Sequence, residues 1–181
     1  MPQLEIPAGM SVMAGRLAFL FWREAAGAAL EALRTLRFAE KEIHQAVGLI
    51  EVLQRLLQER LPLFDAAKAG TAAVAFAQNA FAALAAKEPE AEHGEMRMLA
   101  ETAGALCQSL STGVPLSLRE LAVDGNDLRP LLERENCPAR EMGNLLSALW
   151  KSAVEGKARN RREELLQAAE EWLTIRKGKE P

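Results

Sequence analysis

Apolar side chains return about every three to four positions along almost the whole of this chain, and that rhythm constrains it more than any other feature. Such a period belongs to amphipathic helices. Alternating β-branched runs, the mark of half-buried strands, are nearly missing. The spacing predicts an all-α fold: a multi-helical bundle of antiparallel helices followed by a smaller domain of short helices. The clearest stripe is Ile43, Val47, Ile50, Leu53 and Leu57, in a helix expected over about 40–60 and stopped by Pro62. Before it, after a frayed lead-in over 1–9, a helix is expected over about 13–33, broken near Gly27, with a turn at 35–38. An Ala-rich pair is expected over about 71–86 and 92–110, joined by the loop Lys87-Glu88-Pro89-Glu90. Alanine is the best helix former and lets helices approach closely, so this pair should pack tightly.

Ser111-Thr112-Gly113-Val114-Pro115 reads as a boundary. It divides the chain into expected domains at 1–112 and 113–181. Beyond it the helices shorten and carry explicit punctuation. Ser117 and Glu120 have the spacing of a capping box, and Val123-Asp124-Gly125-Asn126 reads as a turn before a short helix over 127–134 with Pro130 near its start. Pro138 opens a helix with the stripe Met142, Leu145, Leu146, Leu149 and Ala153, and Gly156 ends it. Asn160 is expected to cap the last helix, with Glu163 three residues on. Leu165, Leu166, Ala169, Trp172 and Leu173 give that helix its buried face, while Arg176, Lys177 and Lys179 suit its carbonyl end.

Composition narrows the functional classes. A length of 181 residues allows one domain or two small ones, and 49% hydrophobic with 26% charged residues is globular rather than disordered. The net charge of -3 excludes attraction of nucleic acid by the whole surface, so any such binding must use a local patch. Tyrosine is absent and aromatic residues total 5%, which argues against an extended base-stacking surface. Cys107 and Cys137 are distant in sequence and no Cys-x-x-Cys exists, which excludes a sulfur-based zinc site and fits reduced thiols in a cytoplasmic setting. Gln78 and Asn79 interrupt the longest apolar stretch, so no membrane span is expected, and the N-terminus has no secretory signature. His44 and His93 share no ligand spacing and read as surface residues. Only Asp65, Asp124 and Asp127 could supply aspartate to a metal site. Phosphate-loop, dinucleotide and nucleophile-elbow motifs are missing. Neither a catalytic residue nor a metal ligand is assigned, and the chain by itself is not expected to be an enzyme.

Three segments then occur in order at short spacing: Leu118-Arg-Glu-Leu-Ala-Val-Asp-Gly-Asn-Asp-Leu128, Cys137-Pro-Ala-Arg-Glu-Met-Gly-Asn-Leu-Leu146, and Glu155-Gly-Lys-Ala-Arg-Asn160 followed by Glu163-Glu-Leu-Leu166. Together they resemble the C-terminal part of bacterial CCA-adding tRNA nucleotidyltransferases and poly(A) polymerases. A weaker echo is Leu33-Arg-Thr-Leu-Arg-Phe-Ala-Glu-Lys-Glu-Ile43. Ala139 stands where the family usually has Gly, and Ala39 where it often has Ser. The family's catalytic head carries a Gly-Ser pair and an Asp-x-Asp pair, and its neck an Glu-Asp-x-x-Arg motif. None occurs here. Some relatives carry a His-Asp metal site near a segment like Arg16-Leu-Ala-Phe-Leu-Phe, but this chain continues Trp22-Arg23.

The resemblance therefore implies a body and tail without head or neck. In the family these parts hold the acceptor stem and TψC elbow of tRNA, a task of phosphate and shape recognition. The implied partners are tRNA or other RNA and the family's head and neck domains. No cofactor is expected in this chain, Mg²⁺ and ATP or CTP belonging to the missing head. The RNA-binding candidates are Lys151, Lys157, Arg159, Asn160, Arg161 and Arg162, with a helix N-terminus beside them, and a second group of Arg34, Arg37 and Lys41. Two readings stay open for each group, since a charge run can be a solvated face and Lys41 can pair along its own helix. Trp150 and Trp172 read as core residues. The alternative function is a helical protein-interaction or oligomerisation module without RNA binding, with a second copy of the chain as a candidate partner, which exposed apolar area on the Ala-rich helices would favour.

Overall fold

The helical rhythm is realised throughout the computed structural model, which describes residues 4–58, 61–87 and 93–177. Among the described residues there are nine α-helices, two short 3₁₀ turns and no strand. Helices α1 (Val12–Leu20), α2 (Ala26–Thr35), α3 (Glu40–Leu57), α4 (Leu63–Ala69), α5 (Thr71–Ala85) and α6 (His93–Ser111) precede a division of the chain into two compact units between Ser111 and Thr112. The second unit holds α7 (Gly125–Arg134), α8 (Met142–Val154) and α9 (Arg162–Lys177), with 3₁₀ turns at Leu118–Glu120 and Ala139–Glu141. No helix among the described residues is long and apolar enough to cross a membrane.

In the first unit α3 is the central helix, packed by α1, α2 and α5, while α5 lies along α6. That position explains why its apolar face is wider than the expected stripe. Ala46, Leu49, Val52 and Leu56 are buried beside Ile43, Ile50 and Leu53, whereas Val47 and Leu57 are only half-buried. The Ala-rich pair does pack closely: Phe76, Ala77, Ala80 and Phe81 of α5 and Ala103 of α6 are fully buried. Ser11 starts α1 by accepting a hydrogen bond from Ala14 N (3.3 Å), and its hydroxyl donates to Glu42 of α3.

Two local features differ from expectation. The first long helix breaks over 21–25, earlier than Gly27, which lies inside α2. The reason is packing: Phe21 joins the cluster of Ala14, Leu17, Leu33, Ile43 and Ala46, and Trp22 meets Phe81 edge-on with ring centroids 6.4 Å apart. The sequence reading also had no helix between Pro62 and Thr71. Pro62 instead caps α4, and Gly70 at φ 87, ψ 153 separates α4 from α5. That backbone region is essentially closed to residues with a Cβ. The C-terminal end expected for α3 at Arg60, the loop residues Glu88, Pro89 and Glu90, the expected start of α6 at Glu92, and Lys179 lie outside the described residues.

In the second unit α7, α8 and α9 pack mutually around Leu128, Leu132, Leu145, Leu149, Leu165, Ala169 and Leu173. The turn expected at 123–126 is a helix start. Asp124 accepts from Asn126 N (2.7 Å) and Asp127 N (3.1 Å), and Asp127 accepts from Asp124 N (3.1 Å), a reciprocal capping box. Conversely, Ser117 and Glu120 bond to each other, and Glu120 takes Leu116 N, across one 3₁₀ turn only. Trp150 is buried with its indole N–H donating to Pro115 O at 2.8 Å. Glu141 ties the start of α8 to the end of α9. Its carboxylate accepts from Arg176 and from Asn144 (2.7 Å), and these bonds pull its pKa from 4.5 down to about 2.

Candidate nucleic-acid interface

The connection from α8 to α9 begins with a helix end built on Gly156. At φ 70 it occupies the left-handed position, Lys157 N donates to Ser152 O (2.9 Å), and Gly156 N to Ala153 O (3.3 Å). Ala158 is then buried, and Arg159, Asn160 and Arg161 lead into α9. Asn160 does not cap that helix, contrary to expectation. Its side-chain oxygen accepts from Ala122 N (2.8 Å) and its amide donates to Glu120 O (2.7 Å). Both halves of the amide are used in bracing the connection against the strand of chain that follows the 3₁₀ turn at Leu118–Glu120. Leu165 N donates to Arg161 O (2.9 Å), which makes Arg161 the residue at the helix boundary. Glu163 and Glu164 occupy the first turn, and Glu164 accepts from Arg159 N (3.0 Å). Two carboxylates at the positive end of the helix oppose an anion there, so the cationic side chains, not the helix amides, are what this corner offers a phosphate.

The cations are not equivalent. Lys157 and Lys151 both reach Glu155, at 2.6 and 3.8 Å, and the Lys157 hydrogen bond holds the Glu155 carboxyl below its ordinary range. Arg162 places Nε (3.1 Å) and Nη2 (2.7 Å) on one oxygen of Asp127. That bond is the first cause holding Asp127 below its usual range, ahead of its backbone bond to Asp124. Arg159 and Arg161 are exposed and form no ion pair among the described residues. Exposed Arg119 joins them, because the 3₁₀ turn that carries it is the one Asn160 braces. Sequence reading missed Arg119. Only the amide bonds from residue 160 to residues 120 and 122 would have pointed to it.

The second candidate group sits in the first unit, where α2 turns into α3. Arg37 has φ 58, with Arg37 N donating to Arg34 O (2.9 Å) and Phe38 N to Leu33 O (3.3 Å), the same helix ending as at Gly156 but with a side chain in the left-handed position. Arg34 faces Glu40 at 3.4 Å, and Glu40 also lies 3.5 Å from exposed His44. Lys41 is exposed, and no ion pair along its helix forms among the described residues.

Among the described residues no three His, Cys, Asp or Glu side chains converge, and Asp124 and Asp127 are committed to the α7 cap and to Arg162. The described carboxylates therefore do not converge as the metal ions of nucleotidyl transfer would require.

A family described as tRNA nucleotidyltransferase domain 2, putative, matches residues 17–169. The chain belongs to this family. The match begins inside α1 and ends inside α9, so it takes in both arginine-bearing corners. No curated protein and no solved structure matches the chain significantly.

Proposed function

We propose that this chain is the RNA-positioning part of a tRNA nucleotidyltransferase or poly(A) polymerase system, body-like before the division and tail-like after it. It holds the acceptor stem and elbow of tRNA while catalysis, with its Mg²⁺ and its ATP or CTP, resides in a head and neck that this sequence does not contain. The observation that carries the reading is the family match, which spans the braced corner where Arg119, Arg159 and Arg161 are exposed and without ion pairs among the described residues. Guanidiniums on a fixed backbone suit phosphate contacts along A-form RNA, whose deep, narrow major groove hides its base edges.

Binding of tRNA should fall linearly on a log–log plot against salt, and changing Arg119, Arg159 and Arg161 together to Glu should reduce the slope by about 2 to 3. An unchanged slope and affinity would show that this corner is not the RNA surface. With tRNA, CTP, ATP and Mg²⁺ the chain alone should incorporate no nucleotide, and robust incorporation would overturn the division of labour proposed.

One observation favours a second reading, a protein-interaction module. On α1, Val12 (52% exposed), Met13 (49%) and Leu20 (73%) share a face about 100° wide. Light scattering separates the two: a dimer that grows with concentration and lacks RNA affinity supports the second.

A further inference from the structure

The break between α1 and α2 creates a feature that the phosphate-binding reading does not use. Trp22 lies in that break, half-buried, with its ring fixed edge-on by fully buried Phe81. The guanidinium of Arg23 stacks on the indole, 4.8 Å from the ring centre. Beside them opens a recess of about 540 Å³ whose walls are Trp22, Arg23, Ala25, Gln54, Leu57 and Gln58. That volume lies within the ~300–1,000 Å³ typical of small-molecule sites.

The chemistry of these walls is selective. An indole and a guanidinium are both flat and both stack on planar π systems. Gln54 and Gln58 stand one turn apart at the end of α3 and so share a face. The Gln54 amide donates to Glu24 O, which holds it in place, while the Gln58 side chain has no hydrogen-bond partner among the described residues. A carboxamide offers a donor and an acceptor side by side, the pattern that the edges of nucleobases complement. Among the described residues Arg23 is the sole charged one in the walls, so no described carboxylate there opposes the phosphate that a nucleotide carries. A docked amphipathic helix would need apolar anchors at successive turns, and among the described wall residues outside the indole only Ala25 and Leu57 are apolar. The other tryptophans differ. Trp150 is buried and bonded to Pro115, and Trp172 is half-buried against Arg176 at 5.4 Å.

We propose that the Trp22 recess is a nucleobase-binding site, in which an unpaired base stacks on the Trp22–Arg23 pair and is held at its edge by Gln58. The site is independent of the arginine corner in the second unit. The base can come from a free nucleotide or from single-stranded RNA, and the experiment separates these sources.

The three indole N–H signals of the ¹⁵N-labelled chain, assigned with single Trp→Phe variants, are followed during titration with AMP, CMP, GMP or UMP, with a single-stranded hexanucleotide, and with ribose 5-phosphate. The Trp22 indole and the Gln58 side-chain amide should shift with nucleotide or oligonucleotide, while Trp150 and Trp172 stay still. A shift with mononucleotides identifies a free or terminal base as ligand, and a shift with the hexanucleotide alone identifies a base within a strand. The exposed variants Arg23→Ala and Gln58→Ala, checked for unchanged helicity, should each weaken binding about fivefold or more. The triple Arg→Glu variant of the second unit should leave the mononucleotide shift intact, so this proposal and the tRNA reading can fail separately. No Trp22 shift with any nucleic-acid ligand would overturn the site. So would an equal shift with ribose 5-phosphate, or a shift produced by an apolar peptide but by no nucleotide.

Discussion

The two units reach stability by different routes. The first is held chiefly by apolar surface: alanines at 77, 80 and 103 let α5 and α6 close on each other, with Phe76 and Phe81 filling the interior. Its ion pairs, such as Arg34–Glu40 and Arg55–Asp65, lie at the surface, where such pairs contribute little. The second unit spans 70 residues against 111 in the first and sets more polar bonds between its segments. Arg176 meets Glu141 in a largely buried pair and Asn160 spans to residues 120 and 122, whereas Arg162–Asp127 and Arg134–Glu170 are as exposed as the ion pairs of the first unit. Asp127, Glu141 and Glu155, each held below its ordinary range, all belong to that unit. A smaller unit buries a smaller share of its surface, and directional bonds supply register that apolar area would otherwise impose.

This contrast can be broken in several ways. The largest effect should come from the apolar core of the first unit: Phe81→Ala should cost about 3–5 kcal/mol in denaturant unfolding. A cost below about 1 kcal/mol would mean that the α5–α6 core is not what holds that unit. In the second unit Asn160→Ala removes two hydrogen bonds and should cost about 1–2 kcal/mol, with weaker tRNA binding as the brace on Arg119 and Arg159 loosens.

Acid should then separate the units. Because the Glu141 carboxyl titrates near 2 when folded against 4.5 otherwise, its contribution is complete above 4.5 and is lost as pH falls toward about 2. Emission from Trp150 and Trp172 should report loss of the second unit before Trp22 reports loss of the first. Glu141→Gln should lower stability at neutral pH and flatten the acid limb. Coincident acid transitions would erase the contrast.

The smallest effect concerns the matched helix ends. Gly156→Ala should cost about 1 kcal/mol, whereas Arg37→Gly should gain about 0.5–1 kcal/mol, because only the latter relieves a side chain at positive φ. A loss of tRNA affinity accompanying that gain would show that Arg37 is kept for its charge.

Much of this was legible in the sequence. The stripe from Ile43 to Leu53 and the buried face of Leu165, Ala169 and Leu173 are periodic, and both became helix interiors. Gly156 ended its helix as a residue without a Cβ should. The break after Leu20 was misplaced because its cause is not local: Phe21 packs against the cluster that includes Leu33 and Ile43, and Trp22 meets Phe81. Helix α4 was overlooked because seven residues carry little periodic signal, and Pro62 read as a stop is equally a start. Asp124 was read as turn chemistry because an Asp turn and an Asp cap share the same side-chain-to-backbone bond.

By itself the sequence determined the all-helical character, most helix ends and the cationic segments around residues 37 and 159, since propensity, capping and charge act over a few neighbouring positions. Which arginines are paired, and which are left exposed without a described partner, was decided only by the tertiary structure. Asp127 and Arg162 are 35 residues apart and Asn160 and Glu120 are 40 apart. Contacts of that separation exist only once the helices have packed, when burial of Leu128, Leu149 and Leu165 holds those chain segments together.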